Sequence, residues 1–310
     1  MSFLIIIIFV TAGWLSKQYR WLNKKQTNLI NQYVISVCLP SIALLKIPQL
    51  QLEWSLFFPM FMGWLLIPFL SFIIYLLAKH YRWSGETVGC LLLLTCFGNT
   101  SFVGFPIIQS FYGDDALAYA IVYDQLGSFL SLAIVGNFFV AKYSVQPGGQ
   151  HLGHIRVKEL MIKVLLFPPF IALIIAFLLD GIYLNEVADS GLSLIGKTLV
   201  PATMFLVGLH FEFKLPKKHY IPLAWALATK MLIAPIIAFS ILIVFQQSGI
   251  SSRVTFMEAA MPPMVTASIL AIHAKLSPQL ASAAVGYGLI LAIVVMPLIY
   301  WLSDFIGVVS

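Results

Sequence analysis

Long apolar stretches separated by short polar ones set the pattern of this chain. They fall at roughly residues 2–16, 27–46, 54–78, 87–111, 115–141, 160–180, 187–210, 220–246, 254–273 and 279–306. A bilayer core of about 30 Å takes about 20 apolar residues of helix, so the pattern predicts ten spanning helices. Two of the ten carry an interruption that simple crossing does not need. In the fourth, Phe97-Gly98-Asn99-Thr100-Ser101-Phe102-Val103-Gly104-Phe105-Pro106 places glycines, a proline and consecutive small polar residues in mid-segment. These residue types weaken an α-helix. In the ninth, Met261-Pro262-Pro263-Met264-Val265-Thr266-Ala267-Ser268 does the same. Unwound backbone at bilayer depth is tolerated only where it is buried in protein or lines a cavity. Two interrupted segments at corresponding places in two halves point to a transporter's binding site.

Each interruption predicts the start of a half-helix. Asn99, Thr100 and Ser101 are good N-cap residues, and Pro263 suits the first turn of a helix because it has no N–H to leave unpaired. Two such N-terminal ends meeting in the membrane carry partial positive charge and would attract an anion. The competing reading is a proline kink with Asn99 hydrogen-bonded inside a bundle.

Composition agrees with a polytopic membrane protein. Of 310 residues, 60% are hydrophobic and 10% charged, with a mean hydropathy of +0.95. Soluble domains carry roughly a quarter charged residues. The net charge of +6 could suggest nucleic acid, but its distribution follows the membrane instead. Basic residues cluster after the first, third, fifth, seventh and ninth segments, as at Lys17, Arg20, Lys24, Lys25, Lys79, Arg82, Lys142, Lys214, Lys217, Lys218 and Lys275. The alternate loops hold Lys46 and Arg253 and most of the acids: Glu53, Asp114, Asp115, Asp180, Glu186, Asp189, Glu258 and Asp304. By the positive-inside rule this expects ten spans with both termini outside the cytoplasm. The apolar N-terminal stretch has its basic cluster after it, the wrong order for a cleaved signal peptide, so it is expected to be a retained span. The longest loop contains Pro147-Gly148-Gly149-Gln150 and reads as a linker. The expected organisation is therefore 1–145, a five-helix repeat; 146–158, a cytoplasmic linker; and 159–310, a second five-helix repeat. Five being odd, the second would enter the membrane inverted.

Three ionisable residues fall inside spans, where charge is costly and usually faces a cavity or a partner. Asp124, with Gln125 beside it, is a candidate for a coupling proton or cation; the alternative is an ion pair with a lysine. Lys197, one turn before Pro201, could supply positive charge to an anionic substrate; the alternative is a salt bridge or snorkelling. Lys230 has no depth that the sequence fixes. Cys38, Cys90 and Cys96 show no metal spacing and read as packing residues. No H-E-x-x-H, G-x-S-x-G or P-loop pattern is present, so neither an enzyme nor a cofactor is expected.

At Gly98–Pro106 the sequence resembles the auxin efflux carrier family of permeases, whose pattern is close to G-N-T-G-F-L-G-L-P; Ser101 stands where a glycine is usual. Leu39-Pro40-Ser41, Tyr123-Asp124-Gln125 and Met261–Ser268 add to the likeness, which covers nearly the whole chain. The resemblance implies an all-α polytopic membrane fold like that of the bile acid/sodium symporters. Ten transmembrane helices would form two inverted five-helix repeats, with discontinuous helices four and nine crossing at their breaks. Spans 1, 2, 6 and 7 would be a scaffold, and spans 3–5 and 8–10 a moving transport domain. The implied function is secondary transport of a small organic anion such as malonate, malate or an auxin-like acid, by alternating access across the inner (plasma) membrane. Gly98, Asn99, Thr100, Ser101, Pro106, Pro262, Pro263, Thr266 and Ser268 would surround the substrate, with Lys197 added on its charge. Coupling to protons or sodium ions is expected, with a lipid bilayer as surroundings and no nucleic acid as partner; a homodimer is left open. The alternatives are a non-anionic or amphipathic solute on the same fold, and a non-transporting membrane sensor.

Overall fold

A computed structural model describes residues 3–49, 54–144, 162, 165–179, 185–209 and 215–303. The linker 146–158, together with Glu53, Asp180, Lys214 and Asp304 of the charge pattern, lies outside the described residues. The rest is all-helical, with no strand among the described residues beyond a single isolated bridge. Among the described residues, twelve helical stretches follow in chain order: α1 Phe3–Gln18, α2 Lys25–Lys46, α3 Trp54–Tyr81, α4 Gly85–Cys96 and α5, residues 100–112. Then come α6 Leu117–Tyr143, α7 Pro168–Leu178, α8 Glu186–Leu209, α9 Lys217–Val244, α10 Gly249–Ala259, α11 Val265–His273 and α12 Pro278–Ser303. Six of them (α2, α3, α6, α8, α9 and α12) are long and apolar enough to cross a membrane.

The boundaries have local causes. Asn23 and Gln26 form a reciprocal capping box before α2, Ser84 caps α4 and Asn185 caps α8, each satisfying N–H groups that a helix start leaves unpaired. Gly113, at φ +82°, ends α5; a side chain there would be strained. The fourth and ninth apolar segments are each split, into α4 and α5 and into α10 and α11. At 1.5 Å per residue, the 12 residues of α4 reach about 18 Å, and the 11 of α10 about 17 Å. Neither half alone crosses a bilayer core.

Helices α1, α2, α7 and α8 pack on one another, and α3, α4, α6, α9, α10, α11 and α12 pack on one another; α5 lies against α6, α8 and α10. Helix α1 lies closely along α8. A Cβ on Gly13 would run into the Phe205 carbonyl, and one on Gly208 into the Val10 carbonyl. This is the small-residue contact that brings membrane helices together by dispersion rather than by the hydrophobic effect. Gly63 of α3 meets Gly127 of α6 in the same way, backbone to backbone. That contact lies in a π-turn, Tyr123–Phe129. Such turns disturb the regular ladder, and the Leu126 carbonyl here accepts the Trp64 indole N–H at 2.9 Å. All three cysteines are buried and free.

Leucine at 208 tests the α1–α8 contact. Because the obstructing atoms are backbone, the helices must separate, so Gly208→Leu is expected to cost about 1–3 kcal/mol. Thermal unfolding of the detergent-solubilised protein, followed by tryptophan fluorescence, measures this as a lowered midpoint.

Candidate functional site

The two interruptions meet. Phe97 is extended between α4 and α5, and Met264 is extended before α11. The Asn99 N–H donates to the Pro262 carbonyl at 2.8 Å and the Met264 N–H to the Phe97 carbonyl at 3.1 Å. Gly98 and Pro263 lie between these bonds as an antiparallel pair. In such a pair the flanking residues carry the hydrogen bonds, so Pro263 loses nothing by lacking an N–H. The first-turn position expected for Pro263 is therefore corrected: α11 begins at Val265, and the proline belongs to the extended segment.

The small polar residues of the first break also differ from expectation. Asn99 stands at the cap position of α5, yet its side chain caps nothing. Thr100 and Ser101 turn away from the helix end instead. Both hydroxyls donate to Oδ1 of Asp124, Ser101 at 2.8 Å, and the Gln125 amide donates to Oδ2 at 2.6 Å. Asp124 is buried on the π-turn of α6. Its surroundings satisfy it with neutral donors, and no lysine pairs with it among the described residues.

Lys230 lies on a second π-turn, Thr229–Ile233 of α9, and is 2% exposed. Its ammonium donates to the Ala259 carbonyl, the last residue of α10, at 2.8 Å. Its stem fills the space above Gly98, where a Cβ would come within 2.9 Å of Cε. A side chain at 98 would displace the end of Lys230 from the place it holds against the Ala259 carbonyl. A cation at the carboxyl end of a helix is also well placed against the helix dipole.

Glu258 is the residue that the charge pattern misassigned. Counted there as a loop acid, it is helical in α10 and 0% exposed. Its carboxylate faces Gly104, where a Cβ would lie 2.5 Å from Oε2. Neither oxygen has a hydrogen-bond partner among the described residues, nor have Oδ1 and Nδ2 of Asn99, Oε1 of Gln125 or Oγ1 of Thr229. Buried polar atoms are ordinarily paired, so this group of unpaired atoms sets the surroundings of the breaks apart from the rest of the core. The signal that could have found Glu258 was present: an acid inside an apolar segment, four residues before Pro262.

A cavity of about 170 Å³ opens beside the breaks, lined by Thr27, Asn28 and Asn31 of α2, Phe102 of α5, Leu206 of α8 and Thr266 of α11. Thr266 is exposed to it, whereas Gly98, Asn99, Thr100, Ser101, Pro106, Pro262, Pro263 and Ser268 are buried. Asn28 and Asn31, which sequence reasoning passed over, supply the amides of its far wall. Lys197 is exposed in the last turn before the Thr198 irregularity of α8 and does not share the burial of this cluster.

A family model described as a membrane transport protein matches residues 1–300. The chain belongs to that family. It is the family of the auxin efflux carriers that the Gly98–Pro106 motif resembles, and its several long apolar helices make this member a multi-pass membrane protein. A transporter of Methanocaldococcus jannaschii, described as uncharacterized, is 26% identical over 96% of this chain and 97% of its own. Another from Methanothermobacter thermautotrophicus, described in the same words, is 26% identical over 95% of each chain.

Thr100→Val removes one donor to Asp124 while keeping the shape. With Ser101 and Gln125 still in place, the expected loss of stability is about 1 kcal/mol. Adding Ser101→Ala strands a buried carboxylate oxygen and is expected to cost about 3 kcal/mol in total. Thermal midpoints of the single and double variants check whether the second change costs more than the first.

Proposed function

We propose that this protein is a secondary active transporter that moves a small organic anion, a mono- or dicarboxylate such as malonate, malate or an auxin-like acid, across the inner membrane by alternating access. The observation that carries the reading is the meeting of the two interruptions. Helices α5 and α11 both begin there, so two N-terminal ends with their free N–H groups converge at bilayer depth. That arrangement favours a carboxylate, and the unpartnered Asn99 amide stands beside it.

On this reading the chain is ten spans in two inverted five-helix repeats, with α4–α5 and α10–α11 as the crossing pair. The α1, α2, α7 and α8 group would be the scaffold, and the remainder the part that moves. The cavity at Asn28, Asn31 and Thr266 lies between the two groups, where a substrate would be exchanged. Energy would come from a proton or sodium gradient. Asp124 was the expected carrier, but its oxygens already accept three hydrogen bonds. Glu258, buried and without a hydrogen-bond partner among the described residues, is better suited to take up a proton or sodium ion during the cycle. Asp124 then holds the first break in shape through Thr100 and Ser101.

One observation favours a second reading, a non-anionic or amphipathic solute: among the described residues the cavity lining includes no basic side chain. A single experiment separates the two. Purified protein in proteoliposomes is given labelled malonate, malate or indole-3-acetate, with and without gradients of pH and sodium. Saturable, gradient-dependent uptake is expected for at least one acid. Asn99→Ala should weaken its affinity about tenfold or more, the loss expected for one hydrogen bond to a charged group. Glu258→Gln should uncouple uptake from the gradient. Folded protein that carries none of the three acids overturns the anion reading. Gradient dependence unchanged in Glu258→Gln removes that residue's role.

A further inference from the structure

A second polar cavity lies away from the breaks. It has a volume of about 430 Å³ and sits where the α3–α4 turn, the start of α9 and the α11–α12 turn come together. Helix α4 runs from this cavity to Gly98, so the two sites are about 18 Å apart at 1.5 Å per residue. Its lining contains the first turns of two helices. Ser84 and Thr87 are the cap and third residues of α4, and Ser277 is the cap of α12. A chain of hydroxyls joins them, Ser84 to Thr87 at 3.1 Å and Thr87 to Ser277 at 3.3 Å. The starts of α4 and α12 are thereby held side by side on one cavity; the Ser84 hydroxyl takes up the Thr87 N–H and Pro278 has none, which leaves the N–H groups of Gly85, Glu86 and Gln279 as first-turn donors.

Two side chains of α9 complete the wall. Lys218 is exposed at the mouth. His219 lines the cavity while only 8% exposed, and its imidazole has no hydrogen-bond partner among the described residues. An imidazole so far buried ordinarily finds a partner in the protein. This one is left to whatever enters. Glu86, exposed and one residue before Thr87, also lines the cavity; its carboxylate confines a negative group to the His219 and Lys218 side.

We infer that this cavity binds a phosphate group. Two helix N-termini, a lysine, an unpartnered imidazole and serine hydroxyls are together the donor set that tetrahedral phosphate oxygens take. The phosphate could belong to a small soluble ester or to the headgroup of an anionic lipid, since the charge pattern places these turns on the membrane's cytoplasmic face. An occupied site would tie α4, α9 and α12 together at one end. All three reach the breaks: α4 is followed by Phe97, Lys230 of α9 lies over Gly98, and Gly288 of α12 packs on Pro262 and Pro263. The inference stands whatever solute the protein carries.

The test uses the full chain. Purified protein in detergent is titrated calorimetrically with inorganic phosphate and with glycerol 3-phosphate. In parallel, thermal midpoints are compared in nanodiscs of phosphatidylcholine with and without phosphatidylglycerol. Lys218→Gln, a surface change, and His219→Gln are the variants, with their ligand-free midpoints as the check on folding. Saturable binding of a soluble phosphate, weakened about tenfold in Lys218→Gln, assigns the site to a free ester. A midpoint raised by phosphatidylglycerol alone, and lost in the variants, assigns it to a lipid headgroup. If native protein responds to neither source more strongly than the two folded variants do, the proposal is overturned.

Discussion

A polypeptide that unwinds inside a bilayer must find partners for its N–H and C=O groups without water, and each failure costs several kcal/mol. Here each of two unwound segments is the other's partner. The bonds from Asn99 to Pro262 and from Met264 to Phe97 satisfy groups that neither segment could satisfy alone. Neither break can exist without the other in place. The remaining polar chemistry hangs on that pairing. Lys230 reaches the Ala259 carbonyl over a glycine, Asp124 collects the hydroxyls that follow Asn99, and Glu258 looks onto Gly104.

The ionisable residues buried around the breaks, Asp124, Lys230 and Glu258, divide into two kinds. Asp124 and Lys230 are held by hydrogen bonds that fix them, both on π-turns that carry the side chain inward. Glu258 feels the Lys230 charge but has no hydrogen-bond partner among the described residues. A carboxylate with no donor is poorly suited to holding a fold together, because it carries a desolvation cost with no return. The contrast separates two residues fixed by hydrogen bonds from one that, among the described residues, has none.

Much of this was legible in the sequence, for identifiable reasons. Apolar segments of bilayer length register directly as helices, and the residues that spoil a helix are few and conspicuous, so both breaks could be placed within a few residues. What escaped was relational. Nothing in the letters says that the Thr100 and Ser101 hydroxyls prefer Asp124, 24 and 23 residues on, to the helix end beside them. Pro263 looked like a helix start because proline usually is one; its role in a bridge depends on Gly98 across the way. Glu258 was assigned to a loop because acids were counted by side of the membrane, a rule about loops that is blind to an acid buried inside a helix. Lys230 had no readable depth because its partner is a backbone carbonyl, which leaves no trace in composition.

The contact between Gly13 and Gly208 bears on how the chain is made. These residues are the closest points of α1 and α8, yet they are separated by the synthesis of residues 14 to 207. At about 5–20 residues per second, the first helix leaves the ribosome some 10–40 s before its partner exists. It must wait in lipid, and its sequence, FLIIIIFVTAGWLSKQ, is apolar on every side and suited to waiting. Helices α9 to α12 follow α8 in the chain, so the α1–α8 contact can close while the last four helices are still being made.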